Sequence, residues 1–593
     1  MKKTARQIST FLLATTIVSS TTAFATNTQV NNSPITPQAG SYGYFVDNYK
    51  TNTSDNKTPE SNAVIGLLSG MSSLWQQGDS WNNGKILGDS GKAVLDANIQ
   101  KCVEITNNRT EEQGKNAYLI DRRNQNYSAL NGLGIYADSF KTLAHAATTI
   151  DDEIPDNAET TKYDDKGNSS GNWANEDSSI GDIVKLVNTL RGNYASSNPS
   201  KYYFQYMRPF RWSSDVSVYP SLKPCIGSEP EKDGGFPSGH TNAGYLASFA
   251  LAYAVPERFQ QCLTNASEIG NSRIVAGMHS PLDVIGGRIM ATALAAATLN
   301  DKDNEQLKNM AYDEAQKVLL QAPADESKDT YTNHAENKAT YEKYLTYGLP
   351  QTGDTTKPMV VPKGAEVLLE TRFPYLDAEQ RRWVLYSTGL PSGYEFLDDT
   401  EGWGRLNLFS ASDGYGSFDN DVTVTMDSSK GGFNAKDTWR NDISGNGGLY
   451  KKGDGELTLT GNNTYTGGTN VEQGTIVLAG ANSAGNGVTN VDNGTLEETV
   501  AGTVKINNDY TQSQNGCLVL NVSGLSDVFD INGTANIDGT LKVNVSSFDI
   551  PQNELQILKA DSINGNFDKI EVSGLSDNMQ VVVKENGVFI QHK

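Results

Sequence analysis

The stretch Pro237-Ser238-Gly239-His240 precedes a run of apolar residues and decides how the central part of the chain folds. Residues 243–254 are mostly apolar helix formers, so the pattern predicts a helix that begins at or just after the tetrapeptide. The first turn of a helix carries unpaired N–H groups and the positive end of the helix dipole, which favours an anion such as phosphate. Gly239 lets the backbone approach that anion closely, and His240 would lie at its edge with a transferable proton.

Two further groups of residues flank this stretch at defined spacing. Upstream, Lys201 is separated by six residues from Arg208-Pro209. Downstream, Ser272-Arg273 is followed after five residues by His279 and after three more by Asp283. Together the three segments, within residues 201–283, resemble the signature of the type 2 phosphatidic-acid phosphatase superfamily. That superfamily includes the bacterial class A non-specific acid phosphatases and the vanadium haloperoxidases.

The resemblance implies a phosphohydrolase that uses neither a metal nor a cofactor and forms a phosphohistidine. By matching position, His279 would be the nucleophile, Asp283 would accept its other N–H, and His240 would be the general acid. The other matched residues would bind the phosphate: Lys201, Arg208, Ser238, Gly239 and Arg273. The substrate is then expected to be a small phosphomonoester.

Two alternative functions remain open from the sequence. A vanadium haloperoxidase would use the same cationic cage to hold vanadate, with His279 as the ligand. An adhesin or surface-display protein would instead use the C-terminal part of the chain as its functional region. A halide assay with vanadate tests the first alternative, and loss of cell binding on deletion of residues 413–593 tests the second.

Local patterns predict how these side chains reach one place. If the segment from Lys201 to Arg208 is helical, positions seven apart fall almost two turns round and share a face. Ser280 is a predicted N-cap, with Pro281 as the first helical residue and Asp283 as the acid of a capping box. His279 would then lie just before a helix start.

Composition limits the kinds of partner. The chain has 593 residues, enough for two or more domains, with 48 Lys+Arg against 70 Asp+Glu and a net charge of −22. This acidic balance argues against nucleic acid and against an anionic membrane as partners of the whole surface. A phosphorylated substrate must therefore be attracted by a local cationic cluster. The oligomeric state stays open.

The N-terminal residues predict export. Residues 1–25 combine a charged start, a short apolar run over 11–18 and a small-x-small site at 23–25, as in a secretory signal peptide. A membrane anchor is disfavoured because the apolar run is short. Residues 26–40 read as a flexible leader, and we expect a periplasmic, secreted or surface location. In such a compartment Cys225 and Cys262 could form a disulfide, the alternative being two buried thiols.

Residues 41–412 are expected to form a helical acid phosphatase domain. Helical periodicity runs over 64–75, 91–105 and 180–190, and a polar segment over 150–176 is expected to be a loop near the site. A linker is predicted over 348–362 and a helix over 366–388. Whether 366–409 belongs to the phosphatase core is left open by the sequence.

From about Asp413 the composition changes to Gly, Asn, Asp, Thr and Val. Residues 453–468 alternate short strands with turns and resemble the autotransporter-associated β-strand repeat, a rung of a parallel β-helix. Residues 528–533 and 555–567 resemble the end of an autotransporter passenger. We therefore expect a β-solenoid over 413–593 without a membrane barrel, a compact β-sandwich being the alternative. Such a region would attach the enzyme to the cell surface or envelope and be separable from catalysis.

Overall fold

The computed structural model describes residues 33–81, 83–165, 173–546, 548, 550 and 553–593. The expected signal peptide, residues 26–32 of the expected leader and positions 166–172 of the expected loop lie outside the described residues. Within the described residues a helical region comes first and a β-solenoid second, as the sequence predicts. The last helix of the helical region ends at Ser412, and the first strand of the solenoid begins at Ser417.

The helical region consists of α-helices joined by short 3₁₀ turns and loops, with one small two-stranded sheet, Trp75–Gln76 with Lys85–Ile86. Its α-helices are Phe45–Asn48, Ala63–Leu67, Met71–Leu74, Gly88–Asn108, Glu111–Arg122, Gln125–Ala129, Ala137–Leu143, Gly181–Leu190, Asn198–Phe204, Pro209–Trp212, Gly239–Ala254, Phe259–Val275, Pro281–Asn300, Glu305–Glu314, His334–Thr346, Ala378–Ser387 and Leu408–Ser412.

Three consecutive helices, Gly239–Ala254, Phe259–Val275 and Pro281–Asn300, form the centre of this region and are mostly buried. They pack closely: a Cβ on Gly244 would lie 2.7 Å from Ile269, so only glycine fits there. Among the described residues, the helix Pro281–Asn300 is the one that is long and apolar enough to cross a membrane. From Pro281 to Leu299 it is buried inside the protein, because a helix that is apolar on all sides needs neighbours on all sides.

The segment after residue 364 belongs to this same core. Arg288 donates to the carbonyl of Gly404 at 3.1 Å, and the Tyr253 hydroxyl donates to Glu370 at 2.7 Å. The prediction of one helix over 366–388 is wrong. A 3₁₀ turn covers Ala365–Leu369, and the helix Ala378–Ser387 starts separately from a capping box on Asp377. Pro374 lies between them and disfavours helical backbone before it.

The solenoid stacks its strands in two large, mainly parallel sheets and one separate parallel pair, Ser417–Phe418 with Ser444–Gly445, which rules out the compact β-sandwich alternative. One column of paired positions runs through Lys436, Glu456, Thr475, Thr495, Cys517, Thr540 and Lys569. The solenoid also contains a short helix, Gly432–Ala435, and an antiparallel hairpin formed by Met579–Lys584 and Gly587–His592. Its other strands are Ser417–Phe418, Val422–Thr425, Lys436–Trp439, Ser444–Gly445, Leu449–Lys452, Glu456–Leu459, Thr469–Val471, Thr475–Leu478, Thr489–Val491, Thr495–Glu498, Thr503–Ile506, Tyr510–Gln512, Cys517–Val522, Val528–Ile537, Thr540–Val545, Leu555–Gly565 and Lys569–Ser573.

The first turn of the solenoid is joined to the helical region through buried polar contacts. Arg372 donates two hydrogen bonds to Asp437, at 2.6 and 2.9 Å, and both side chains are buried. The Trp439 indole donates to the Tyr375 hydroxyl at 2.9 Å. The two regions therefore share one continuous core across this junction.

Candidate active site

His279 and Asp283 lie at the start of the helix Pro281–Asn300. The backbone N–H of Ser280 donates to Asp283 Oδ2 at 2.8 Å, and the N–H of Asp283 donates to the Ser280 hydroxyl at 3.4 Å. This is the capping box that the sequence predicts. It holds the carboxylate of Asp283 beside the imidazole that precedes the helix.

The imidazole of His279 is held from both sides in a buried position. Its Nδ1 lies 3.2 Å from Asp283 Oδ2, and its Nε2 lies 3.1 Å from Arg208 Nη1. Because a guanidinium only donates, Arg208 requires a lone pair on Nε2, and the proton of the neutral imidazole then lies on Nδ1, facing Asp283. Nε2 is therefore the nitrogen available for nucleophilic attack.

Lys201 and Arg208 reach the site from two different elements, so the prediction that they share one helical face is wrong. The helix Asn198–Phe204 ends at Gln205, which has a left-handed φ of 49°. Arg208 is extended and precedes the short helix Pro209–Trp212. The two cations still converge on the segment before the central motif. Lys201 Nζ donates to the carbonyl of Gly234 at 2.8 Å, and Arg208 Nη2 donates to Asp233 at 3.2 Å.

The central motif forms the start of the helix Gly239–Ala254, as predicted. Ser238 is the N-cap, and its hydroxyl accepts from the N–H of Thr241 at 3.3 Å. The N–H of Ser238 donates to the carbonyl of Asp283 at 2.8 Å, which ties this helix start to the next one. A Cβ on Gly239 would lie 3.0 Å from the Ser197 hydroxyl, a tight contact that a larger residue would make only if Ser197 shifted.

Asp121 belongs to the candidate site by its contacts, and the sequence analysis does not predict it. Its buried carboxylate forms ion pairs with Arg273 and Arg122, and its backbone carbonyl lies 3.2 Å from His240 Nε2. Arg122 also donates to Asp164, in the loop that the sequence places near the site, at 2.8 Å. The only sequence signal is the cluster of three charges, 121–123, at the end of a helix, which is ordinarily a solvated helix end.

Arg273 has hydrogen-bonding capacity that the protein does not use. Its side chain is buried, and neither Nε nor Nη1 has a hydrogen-bond partner among the described residues. An unsatisfied buried donor costs roughly 1–3 kcal/mol, and more when it is charged. Two such donors on one guanidinium indicate a site for an anion.

Burial and neighbouring cations keep both histidines neutral in the free protein. The pKa of His279 lies well below its ordinary value because of burial and the charges of Arg208, Lys201 and Arg273. Burial and the charge of Arg273 lower the pKa of His240 to about 3. Burial, together with the charge of Arg208, also lowers the pKa of Lys201. A bound anion would raise all three pKa values.

The structure thus brings all the predicted site residues into one cluster at two adjoining helix starts. Within the described residues, no group of three or more His, Cys, Asp or Glu side chains is arranged to hold a metal ion. The cysteines, including Cys225 and Cys262, are free thiols.

Comparison with known proteins supports the two-part organisation. The model of the PAP2 superfamily matches residues 182–306, and the passenger-associated-transport-repeat model matches residues 449–478. The chain is 35% identical over 106 residues to the non-specific acid phosphatase of Salmonella typhimurium, covering 18% of the chain and 40% of that protein. It is 36% identical over 143 residues to the acid phosphatase of Zymomonas mobilis, covering 24% and 52% respectively.

A different kind of relative is the neisserial autotransporter lipoprotein NalP of Neisseria meningitidis. It is 38% identical over 135 residues, which is 23% of this chain and 12% of that protein. The chain therefore spans about half or less of the length of each of these relatives. It contains a domain of the PAP2 superfamily, similar to that of the acid phosphatases, followed by a passenger-associated transport repeat in a β-solenoid.

Proposed function

We propose that this protein is an exported acid phosphatase that hydrolyses small phosphomonoesters through a phosphohistidine on His279, without a metal ion. The observation that carries the proposal is the position of His279 between Asp283 and Arg208. Asp283 holds the proton on Nδ1, and the attacking nitrogen Nε2 points to a guanidinium that can bind the phosphoryl group. The similarity to acid phosphatases over part of the chain supports the same reaction class.

In the first step, His279 Nε2 attacks phosphorus and the bond from phosphorus to the ester oxygen breaks. His240 donates a proton to that oxygen, so that the alcohol leaves uncharged. Lys201, Arg208 and Arg273 neutralise the phosphoryl oxygens, on which charge is spread in the transition state. The unused donors of Arg273 supply hydrogen bonds at this point.

In the second step, water attacks the phosphohistidine. His240, now neutral, takes a proton from the water as the bond between phosphorus and His279 Nε2 breaks. Inorganic phosphate leaves, and the proton passes from His240 to the departing phosphate or to solvent, because His240 is neutral in the free protein. Asp283 holds the imidazole of His279 in one tautomer in both steps.

The low pKa of His240 has a consequence for this cycle. A neutral His240 in the free protein cannot act as an acid, so its proton must arrive with the substrate or be taken up when the anion binds. A phosphomonoester has a second pKa of about 6 and carries that proton at acid pH. This coupling favours activity on the acid side of neutrality.

Export is proposed from the repeat and from the relatives. An exported or surface protein is supported by the passenger-associated repeat and by the similarity to the autotransporter lipoprotein. The chain is also 27% identical over 233 residues to an extracellular serine protease of Serratia marcescens. The signal-like residues 1–25 are consistent with this location. The solenoid would then hold the enzyme at a surface.

The decisive experiment traps the intermediate. The purified protein is mixed with radiolabelled phosphomonoester at acid pH, quenched in alkali, where phosphohistidine is stable, and the labelled peptide is identified. We expect the label on His279, turnover that survives EDTA, and no label in His279→Ala. Label on another residue, or activity abolished by EDTA and restored by a divalent metal, contradicts the proposal. A halide-oxidation assay with vanadate on the same sample tests the haloperoxidase alternative.

A further inference from the structure

The helix start that carries His279 and Asp283 is completed by a side chain from a distant helix. The first N–H groups of a helix have no partner within the helix itself. Here the N–H of Leu282, next to Asp283, donates to Asn98 Oδ1 at 2.9 Å. Asn98 belongs to the helix Gly88–Asn108 and is fully buried. It therefore supplies an acceptor to the turn that holds the candidate catalytic pair.

The amide of Asn98 is held in one orientation. Its Nδ2 donates to the Tyr206 hydroxyl at 3.2 Å, and its Oδ1 must face Leu282, because a backbone N–H needs an acceptor. Tyr206 is itself fully buried. Its ring lies edge to face with Trp75 and tilted against Trp212, with centroids 5.5 and 5.3 Å apart. The aromatic packing thus fixes Tyr206, and Tyr206 fixes the amide.

Tyr206 also holds the segment that packs against Asp283. The backbone carbonyl of Tyr206 accepts from the N–H of Gly235 at 2.7 Å. A Cβ on Gly235 would lie 2.6 Å from Asp283 Oδ2, so the backbone of this segment lies directly against the carboxylate. Burial and the charge of Asp283 raise the pKa of Tyr206 well above its ordinary value, so the hydroxyl keeps its proton. Asn98 is thus connected to Asp283 both through Leu282 and through Tyr206.

The Asp283 carboxylate is held through one of its two oxygens. Oδ2 accepts from the N–H of Ser280 and lies 3.2 Å from His279 Nδ1. The buried Oδ1 has no hydrogen-bond partner among the described residues. The angle between the carboxylate and the imidazole therefore depends on the first turn of the helix. Leu282 lies in that turn, so its bond to Asn98 holds the backbone from which the carboxylate extends.

The same distant helix also supports the backbone of His279. Cys102 lies one turn after Asn98 on the same face, and its Sγ is 3.9 Å from the carbonyl oxygen of His279. One face of the helix Gly88–Asn108 therefore contacts both the residue that precedes the helix start and the first turn at Leu282. These contacts fix the imidazole and the carboxylate relative to each other.

We propose that Asn98 is a positioning residue that holds Asp283 at the angle which keeps the proton of His279 on Nδ1. The inference rests on the phosphatase reaction proposed above, and Asn98 acts through Leu282 rather than on the substrate. The three cations that would bind phosphate lie on other elements. Loss of the Asn98 amide should therefore slow attack by His279 and leave the affinity for phosphate unchanged.

The test compares Asn98→Ala with Asn337→Ala in the full-length protein. Asn337 is a buried amide on the helix His334–Thr346 that donates to the carbonyl of Tyr331, so it is the matched control. In Asn98→Ala we expect kcat to fall about tenfold, less than the roughly hundredfold loss that a displacement of about 1 Å can cause. The inhibition constant of inorganic phosphate should change less than about twofold. Asn337→Ala should lower the melting temperature and leave kcat unchanged.

Nitrogen NMR of the His279 imidazole gives a second readout, one that needs no turnover. The unchanged protein and Asn337→Ala should show the Nδ1–H tautomer, and Asn98→Ala a mixture of tautomers. Tyr206→Phe keeps the ring and removes only the hydroxyl that orients the amide, so it should fold where Asn98→Ala does not, with smaller changes in the same direction. The double variant should lose no more than Asn98→Ala alone, because both act on one contact.

Three results would overturn the positioning role. They are a single tautomer in both Asn98→Ala and Tyr206→Phe, an equal loss of kcat in Asn337→Ala, and a loss of phosphate affinity as large as the loss of kcat. Absence of turnover in the unchanged protein would instead contradict the phosphatase proposal. In that case the tautomers of His279 alone would decide whether Asn98 positions Asp283.

Discussion

Asp233 forms an ion pair with Arg208 at the entrance to the phosphate site. Its carboxylate occupies Nε and Nη2 of the guanidinium, while Nη1 contacts Met278 O and His279 Nε2. All the donor nitrogens of Arg208 are thus engaged in the free protein. These contacts use four of the five N–H groups of Arg208, so a phosphate that takes more than one of them must displace a contact, and Asp233 is the negatively charged partner.

Asp233→Asn should therefore tighten the binding of phosphate. The amide removes a like charge from the site while Met278 continues to orient Arg208, so we expect KM and the inhibition constant of inorganic phosphate to fall about threefold. The effect is modest because Asp233 is partly exposed and its charge is screened. Glu229→Gln is the control, since Glu229 pairs with Lys232 on the same loop. An unchanged or higher inhibition constant in Asp233→Asn would contradict this role.

Asp121→Asn should reduce both stability and turnover. The substitution leaves the buried guanidinium groups of Arg273 and Arg122 without their shared carboxylate, a loss of about 3–5 kcal/mol of unfolding free energy. Added phosphate should recover part of the melting temperature, because an anion again pairs with Arg273. Asp164→Asn, which removes only an exposed partner of Arg122, should change little. Equal melting curves for the two variants would refute the positioning role of Asp121.

His240 should be neutral in the free protein well below pH 6 and protonated in the phosphate complex. Its folded pKa of about 3 lies below the ordinary 6.5, so the unfolded chain binds the extra proton between these values. The stability contributed by neutral His240 is therefore present above about pH 6.5 and decreases as the pH falls towards 3.

Imidazole NMR across a pH series measures this directly, with calorimetry in two buffers to count the protons taken up with phosphate. We expect phosphate binding to tighten as the pH falls through the acid range, and turnover to peak on the acid side. A His240 that titrates near pH 6.5 in the free protein would be inconsistent with the buried, cation-flanked site.

Vanadate should inhibit the enzyme more strongly than phosphate does. A five-coordinate vanadate on His279 Nε2 resembles the transition state, and such mimics bind more tightly than ground-state ligands. Competition between vanadate and a phosphomonoester measures the effect. His279→Ala should lose this preference while retaining some binding of phosphate to Arg273. Equal inhibition by the two anions in the unchanged protein would argue against attack by His279.

The effect of a C-terminal truncation on stability and turnover should depend on where the chain is cut. A chain that ends at residue 412 loses Asp437 and Trp439, which leaves Arg372 buried without its carboxylate. We expect that product to be insoluble or strongly destabilised, contrary to the sequence-based expectation that the whole β-rich region is separable. A chain that ends at residue 480 keeps the junction and should retain turnover. Full activity of the shorter product would show that the junction is dispensable.

The candidate site shows which features can be predicted from the sequence and which depend on contacts between distant residues. The roles of Ser280 and Asp283 in the helix start are predictable because caps and capping boxes depend on neighbours within one turn. Lys201 and Arg208 lie at the candidate site, but not on the one helical face that the sequence predicts, because the reversal at Gln205 leaves no local pattern. Asp121 was missed because its role depends on Arg273, which is distant in the chain. Long-range pairs of this kind become visible only in the fold.

The junction at Asp437 determines how a pulling force would pass through the molecule. If the C-terminal end were fixed to a surface and the remainder were dragged by flow, tension would travel along the stacked rungs, each held mainly by its neighbours. The tension would enter the helical region at Arg372 and Tyr375, which bind Asp437. His240 and His279 lie elsewhere, at two helix starts that are joined by the hydrogen bond from Ser238 to Asp283. We expect the rungs to unfold one at a time before the force reaches the hydrogen bond between Ser238 and Asp283. Unfolding of the solenoid would thus protect the geometry of the catalytic residues from the pulling force.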